Sequence, residues 1–395
     1  TKTRSVNEKN MLCTFFSLKF VLPHGGGMEI VVKKIDGFSK GMGIGGWLTN
    51  YKRFNVLPED KRRIITIGDM EHFRTYITEW DAENIAAMGV DHVRIGFDQL
   101  VMEEAPYKYR DEIFALLKDF VTKCIGMGLK VVLNLHKAIG NYCDIQEVVT
   151  LFDSDELQKR FVALWLKIEA DYSDYPEVMF ELLNEVRDVN ADLWNNLAEK
   201  TIYEIRKVNK NRKIIVGSRS WNSAYELENL RVYDHENVIY TFHNYSPFEF
   251  THQQGVLQSD CMFYNRKLSY PCYDIERYRD YYRIVCGSDN AYSEFERIDI
   301  NVLRAYLKGA KSFIEKYPDK ILWCGEFGTI RHCDLKSREN WMSDMIQILQ
   351  EMDIPYCVWN YLSTPNDGNR FSLVDDETRQ ILSERMKRII NGDIR

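Results

Sequence analysis

From about residue 38 onward, short apolar and β-branched runs alternate with longer stretches of helical period. Eight runs read as strands, at 41–48, 92–97, 130–136, 178–184, 213–217, 238–245, 321–327 and 356–361. Between them, apolar positions recur every three to four residues near 71–88, 110–127, 155–171, 191–208, 299–317, 337–352 and 376–391, several ending at stops such as Gly89, Gly128 and Pro318. Strand then helix, repeated, predicts a parallel sheet, because parallel neighbours need a crossover connection. Eight such units predict an α/β fold of the (β/α)8 TIM-barrel type, whose site forms from strand C-termini and the loops after them. A doubly wound open sheet competes, but Gly41-Met42-Gly43-Ile44-Gly45-Gly46 lacks the GxGxxG spacing and lies within the first strand.

One unit is too long. The stretch from Tyr245 to Ile321 exceeds the short loop and single helix that a barrel unit needs. The excess, residues 247–297, is rich in Tyr and Arg and predicts a small inserted subdomain after strand six. Its place after a strand C-terminus puts it beside the catalytic face, as a wall of the cleft or as a stabilising embellishment. Residues 1–27 read as an N-terminal extension, signal-like in its apolar run from Met11 to Pro23 or foreign to the barrel; Lys19 interrupts the run and no small-x-small cleavage pattern follows. Residues 28–395 read as the catalytic barrel.

Parallel strands covered on both faces are expected to be apolar throughout. Here they end in polar or aromatic groups: Arg94, His136, Asn184 with Glu185, His243 with Tyr245, Glu326, and Trp359. Two carboxylates at strand ends meet the needs of glycosidic cleavage, in which one acid protonates the departing oxygen and the other attacks or stabilises the anomeric carbon. A single strand-end Glu is more often a salt-bridge partner; two in these contexts point to chemistry. The acid must then hold its proton at neutral pH, aided by apolar walls and the charge of the other carboxylate. The attacking carboxylate must stay ionised, and Arg94 and the Tyr245 hydroxyl are candidates to stabilise it. Trp47 and Phe248 read as sugar platforms or as packing at the barrel rim.

This set, in this order on successive strands, resembles glycoside hydrolase family 5, the endoglucanase and mannanase family within a clan of retaining (β/α)8 hydrolases. The resemblance covers about residues 38–391. It implies that Glu185 is the acid/base, Glu326 the nucleophile and Asn184 the residue that binds the sugar 2-hydroxyl. His243 and Tyr245 match the pair flanking the carboxylates, Arg94 and His136 the residues that orient nucleophile and substrate, and Trp359 the stacking floor. Gly45-Gly46-Trp47, the run from Phe180 to Val186 and the run from His243 to Gln253 resemble a clostridial-type endoglucanase group, as does the insertion after strand six. One departure is His136-Lys137-Ala138-Ile139-Gly140, where that group often reads His-His-Ala-Pro-Gly; Lys137 then brings a flexible ammonium to a sugar subsite.

Composition narrows the partners. With 45% hydrophobic and 28% charged residues, the chain can bury a large core. A net charge of −7 argues against a polyanionic partner, so no nucleic acid is expected, and no apolar run is long enough for a membrane span. Nine cysteines without CxxC or zinc spacing lean towards a reducing compartment, whereas a polymeric substrate leans outside the cell, leaving cytoplasmic and secreted locations both open. No HxxxH or carboxylate-rich helix accompanies His136 and His243, so neither metal nor cofactor is expected. The expected partner is a β-linked oligo- or polysaccharide, above all a β-1,4 or mixed β-1,3-1,4 glucan. β-Mannanase, xyloglucanase, β-glucosidase and transglycosylase readings use the same carboxylates, and a non-catalytic carbohydrate-binding barrel is the rival of another class.

Overall fold

Eight parallel strands close on themselves in the computed structural model, which describes residues 33–49, 59–143, 147–257, 259–364 and 367–394. They are β1 (Lys40–Leu48), β2 (His92–Asp98), β3 (Lys130–Lys137), β4 (Val178–Glu181), β5 (Ile214–Gly217), β6 (Val238–Asn244), β7 (Ile321–Phe327) and β8 (Tyr356–Val358). Each pairs with its sequence neighbours, and β8 returns to β1 in the register Lys40↔Tyr356. The fold is thus a (β/α)8 barrel. The expectation for residues 1–27 lies outside the described residues.

Side chains alternate across each strand, so each strand has an outward and an inward row. Outward residues such as Ile95, Leu133, Phe180 and Leu322 pack in the large core between barrel and helices. Inward, Val132, Met179, Ile215, Ile239, Ile321, Trp323 and Cys357 fill the lower barrel, with Phe38 packed among them. One step further along the same inward rows the chemistry changes, to Asn134, Glu181, Thr241 and Gly325. An apolar floor with a polar upper layer is the architecture that positions the site.

β1 supplies the space. Its inward residues are Gly41, Gly43 and Gly45, where a Cβ would lie 2.2 Å from the His92 ring, 2.8 Å from the Trp359 ring and 2.5 Å from that ring again. The glycine run that fails as a nucleotide fingerprint is a slot for two large rings.

The helices form where the pattern placed them, with differences at their ends. The helix Ala191–Val208 buries Trp194, Leu197, Ala198, Thr201, Ile202 and Ile205 on one face, and Asn190 caps its start by accepting from the Asp192 amide. Its Trp194 indole donates to Gly217 O, and Trp165, on the helix Asp155–Tyr172, donates to Leu182 O, tying both helices to strand ends. The single helix expected over 71–88 is two, Ile67–Thr75 and Glu79–Ala87, because a Thr78/Asp81 capping box starts a new helix. The one expected over 299–317 breaks at Leu307. The last is confined to Glu384–Ile390, capped by Ser383.

Residues 247–297 carry three helices, Phe248–Thr251, Ser259–Tyr264 and Glu276–Cys286, and Cys272 bridges Ile298. At their centre the buried Glu249 accepts hydrogen bonds from the Tyr282 and Tyr292 hydroxyls. Burial pushes its pKa up to about 7 against the pull of those hydroxyls. Because the folded pKa exceeds the unfolded one, the protein is expected to lose stability as pH rises from 4.5 through 7, by about 3 kcal/mol if this group acts alone. Glu249→Gln, which cannot ionise, is expected to flatten that slope in denaturant titrations at pH 5 and pH 8. An unchanged difference between the two pH values would contradict it.

Candidate active site

The β4 row runs Met179, Phe180, Glu181 and then leaves the strand, so Asn184 and Glu185 stand on the turn that follows. Asn184 is fixed there by its amide, which donates to Leu135 O at 2.9 Å. Glu185 has φ +39, an uncommon conformation for a side-chain-bearing residue and one that collects at functional sites.

Glu326 owes its position to an irregularity in β7. Strict alternation would face Trp323 and Gly325 inward and Glu326 outward. The register instead passes from Phe242↔Cys324 directly to His243↔Glu326, so Gly325 is the extra residue of a bulge. A bulge re-aims the side chain after it. Gly325 fits because a Cβ there would meet Thr241 Oγ1 at 2.7 Å.

These two devices bring the carboxylates together. Ligand atoms of Glu185, His243 and Glu326 all lie within 4.8 Å of one another. His243 Nδ1 stands between, 2.9 Å from Glu185 Oε1 and 3.7 Å from Glu326 Oε2. Three such donors could close on a small cation, but a fixed positive charge already serves the pair: Arg94 Nη1 donates to Glu326 Oε1. The same guanidinium binds Glu181 through Nε at 2.5 Å and Nη2 at 3.0 Å, and Asn184 Oδ1 at 2.7 Å. Against the pull of burial, Glu181 and Glu326 hold the Arg94 pKa above its ordinary range. The Tyr245 hydroxyl donates to Glu326 Oε2 at 2.8 Å.

Burial raises the Glu326 pKa above 4.5, against His243 and Arg94, with Glu185 adding to the rise and the Tyr245 hydroxyl opposing it. This differs from a nucleophile held at a low pKa: the buried cleft outweighs the ion pair. The acid limb of kcat/KM is therefore expected to fall as pH drops through a midpoint above 4.5, a value belonging to the coupled pair. A pH–rate profile with its midpoint at or below 4.5 would contradict that.

The remaining expected residues divide. Trp359, half-buried, lies parallel to His136 at 5.5 Å between ring centroids, with Arg94 Cζ 5.9 Å from its own centroid. His136 Nδ1 pairs with Asn134 Oδ1 at 2.9 Å, and burial, helped by Arg94 and Lys137, holds its pKa well below 6.5. Phe248 is half-buried and packs on His252, with 5.0 Å between ring centroids. Trp47 is corrected: it is 2% exposed, donates to Phe73 O and packs edge-on against Phe120. The β1–β2 register shifts between Ile44 and Leu48, and the indole is packed in the core between barrel and helices, where no sugar can reach it. Lys137 also differs from the flexible ammonium expected, since it is 2% exposed opposite Asp98.

Two residues were not anticipated. Glu181 lies inside an apolar run, where only period-two alternation from Met179 could have marked it as inward. Asn222, which contacts His243 Nε2, ends the short helical segment Arg219–Asn222 after β5, where no sequence signal marks it.

The comparisons with known proteins agree with this geometry. A family model described as Cellulase (glycosyl hydrolase family 5) matches residues 59–364. Endoglucanase C of Acetivibrio thermocellus is 36% identical over 332 residues, covering 82% of this chain and 91% of that protein. Cellodextrinase A of Ruminococcus flavefaciens is 28% identical over 326 residues, 81% of this chain and 84% of that protein. The crystal structure of endoglucanase Cel5A from the hyperthermophilic Thermotoga maritima superposes with a TM-score of 0.67 at 25% identity, covering 89% of this chain and 96% of that one. With a matching barrel, a matching model over most of its length and a relative at this identity, the chain belongs to glycosyl hydrolase family 5.

Proposed function

We propose that this protein is a retaining endo-β-glucanase that cuts β-1,4 or mixed β-1,3-1,4 glucan chains by double displacement. The observation that carries the reading is the separation of its two acids, within 4.8 Å at their nearest ligand atoms. Retaining enzymes hold their carboxyls roughly 5 Å apart, whereas inverting ones leave room for a water at roughly 6.5–9.5 Å.

Glu326 attacks the anomeric carbon while Glu185 gives its proton to the departing glycosidic oxygen. The bond to that oxygen breaks as the bond to Glu326 forms, leaving a glycosyl ester. Arg94 and Tyr245 hold the attacking oxygens in place before this step. Esterification removes the Glu326 charge, so Glu185 can stay ionised and take a proton from the water that hydrolyses the ester. Asn184, clamped by Arg94, is assigned to the sugar 2-hydroxyl, and Trp359 to the sugar face beside the scissile bond. His136 borders the same floor. Phe248 and residues 247–297 are assigned to the cleft wall.

A glucan substrate is supported by the endoglucanase relatives. Among the described residues, no helix is long and apolar enough to cross a membrane.

The test is a panel of barley β-glucan, carboxymethylcellulose and galactomannan read by reducing ends. Product on the two glucans is expected. Product on galactomannan alone would replace the reading with a mannanase, and affinity without product with a binding barrel.

A further inference from the structure

His243 meets both carboxylates through one ring nitrogen, Nδ1. A lone pair there would face carboxylate oxygens, so an ionised acid favours a hydrogen on Nδ1. The ring is neutral at pH 7, since burial pulls its pKa down to about 4 against the upward pull of Glu326. The charged or titratable groups acting on it are Glu326 on β7, Arg94 on β2, Glu181 on β4, His136 on β3 and Glu185 on the turn after β4. A neutral ring has one N–H. With that hydrogen on Nδ1, Nε2 is an acceptor and needs a donor.

Asn222 supplies it. Its buried amide Nδ2 lies 3.3 Å from His243 Nε2. The backbone there is unusual: Ser220, Trp221 and Asn222 have φ of +52, +58 and +55, three left-handed residues in succession with no glycine among them. A run of three is sterically disfavoured for residues that carry a Cβ, and it persists only where surrounding contacts enforce it. Those contacts come from the loop that bears Glu185. Trp221 N donates to Val186 O at 2.9 Å, and Ser220 Oγ donates to Asp188 Oδ1 at 3.1 Å. From another side, Trp221 Nε1 donates to Cys143 O at 2.9 Å. Gly217 completes the seat, since a Cβ there would lie 2.3 Å from Asn222 Oδ1.

We propose that Asn222 is a positioning residue for the reaction: by donating to Nε2 it locks His243 in the Nδ1–H tautomer, so that the ring gives an N–H to Glu185 Oε1. The consequence is the direction of the catalytic proton. With Oε1 occupied as an acceptor, the acidic hydrogen of Glu185 is confined to Oε2, free for the glycosidic oxygen. In the other tautomer, Glu185 would donate its proton to Nδ1 and the ring would compete with the leaving group. The role rests on the reading of Glu185 as acid/base.

The experiment is 15N NMR of the intact protein labelled at histidine, with His243 assigned by its loss in His243→Gln. Wild type is expected to show a protonated Nδ1 and an unprotonated Nε2 from pH 6 to pH 8. Asn222→Gly keeps the left-handed backbone but removes the donor, and is expected to populate both tautomers. Gly217→Ala, which displaces the amide, is expected to do the same. Asn222→Asp accepts instead of donating, and is expected to place a hydrogen on Nε2. In all three, hydrolysis of β-glucan should fall about tenfold or more, and more than that of an activated aryl cellobioside whose leaving group needs no proton. A wild-type ring protonated at Nε2, or an Asn222→Gly spectrum unchanged from wild type, would overturn the proposal. A wild-type protein inactive on every glucan with the Nδ1–H ring intact would count against the glucanase reading and leave the tautomer assignment supported.

Discussion

Glu326→Gln is expected to lower kcat/KM on β-glucan by at least about a thousandfold, the scale of loss when a covalent step is removed. The amide has nearly the same shape and still accepts from the Tyr245 hydroxyl, but it cannot form the glycosyl ester. The fold should survive, because Glu181 continues to neutralise Arg94 through two hydrogen bonds. Reducing-end assays beside a thermal melt separate the two effects. An activated 2-fluoro-cellobioside adds a chemical readout: wild type should gain a covalent adduct on the peptide bearing Glu326, and the variant none. Retained turnover in the variant would reject Glu326 as the nucleophile.

Arg94→Met is expected to be the most damaging single change to the whole protein. Arg94 is fully buried and is the one cation hydrogen-bonded to both Glu181 and Glu326 among the described residues. Removing one partner of a buried ion pair leaves an uncompensated charge and typically costs roughly 3–5 kcal/mol. Activity should fall too, because Asn184 and Glu326 lose a common anchor. The acid limb of the pH profile should move further upward, since an opposing positive charge is gone from beside Glu326. A second change separates stability from catalysis. Arg94→Met with Glu181→Gln removes the stranded charge on Glu181 and is expected to recover part of the stability but little of the activity, measured by denaturant titration and initial rates. Equal recovery of both would mean that Arg94 acts on the reaction only through the fold.

The barrel was legible because parallel strands covered on both faces must be apolar, and eight such runs separated by helical periods leave few other architectures. The polar strand ends stood out for the same reason. What escaped depended on register. Glu181 reads as a blemish in an apolar run until β4 is seen to face Met179 and Glu181 inward. Glu326 was legible as a strand-end carboxylate, but the bulge at Gly325 that turns it to face Arg94 was not, since simple alternation sends the side chain outward. Trp47 misled for the converse reason: after two glycines at a strand end its indole resembles a rim platform, yet a shift in the β1–β2 register carries it into the core. Asn222 had no local signal at all. Its position follows from three left-handed residues clamped by the loop bearing Glu185, a tertiary cause that no period or motif encodes.

The account turns on two acids facing each other across one glycosidic bond at a distance too short for an intervening water. The stereochemistry of the first product reports that distance chemically. In 1H NMR of a cello-oligosaccharide digest followed from the first minutes, the newly formed reducing end should appear as the β-anomer and only later equilibrate to the α-anomer by mutarotation. An α-anomer appearing first would contradict the double displacement and, with it, Glu326 as a nucleophile.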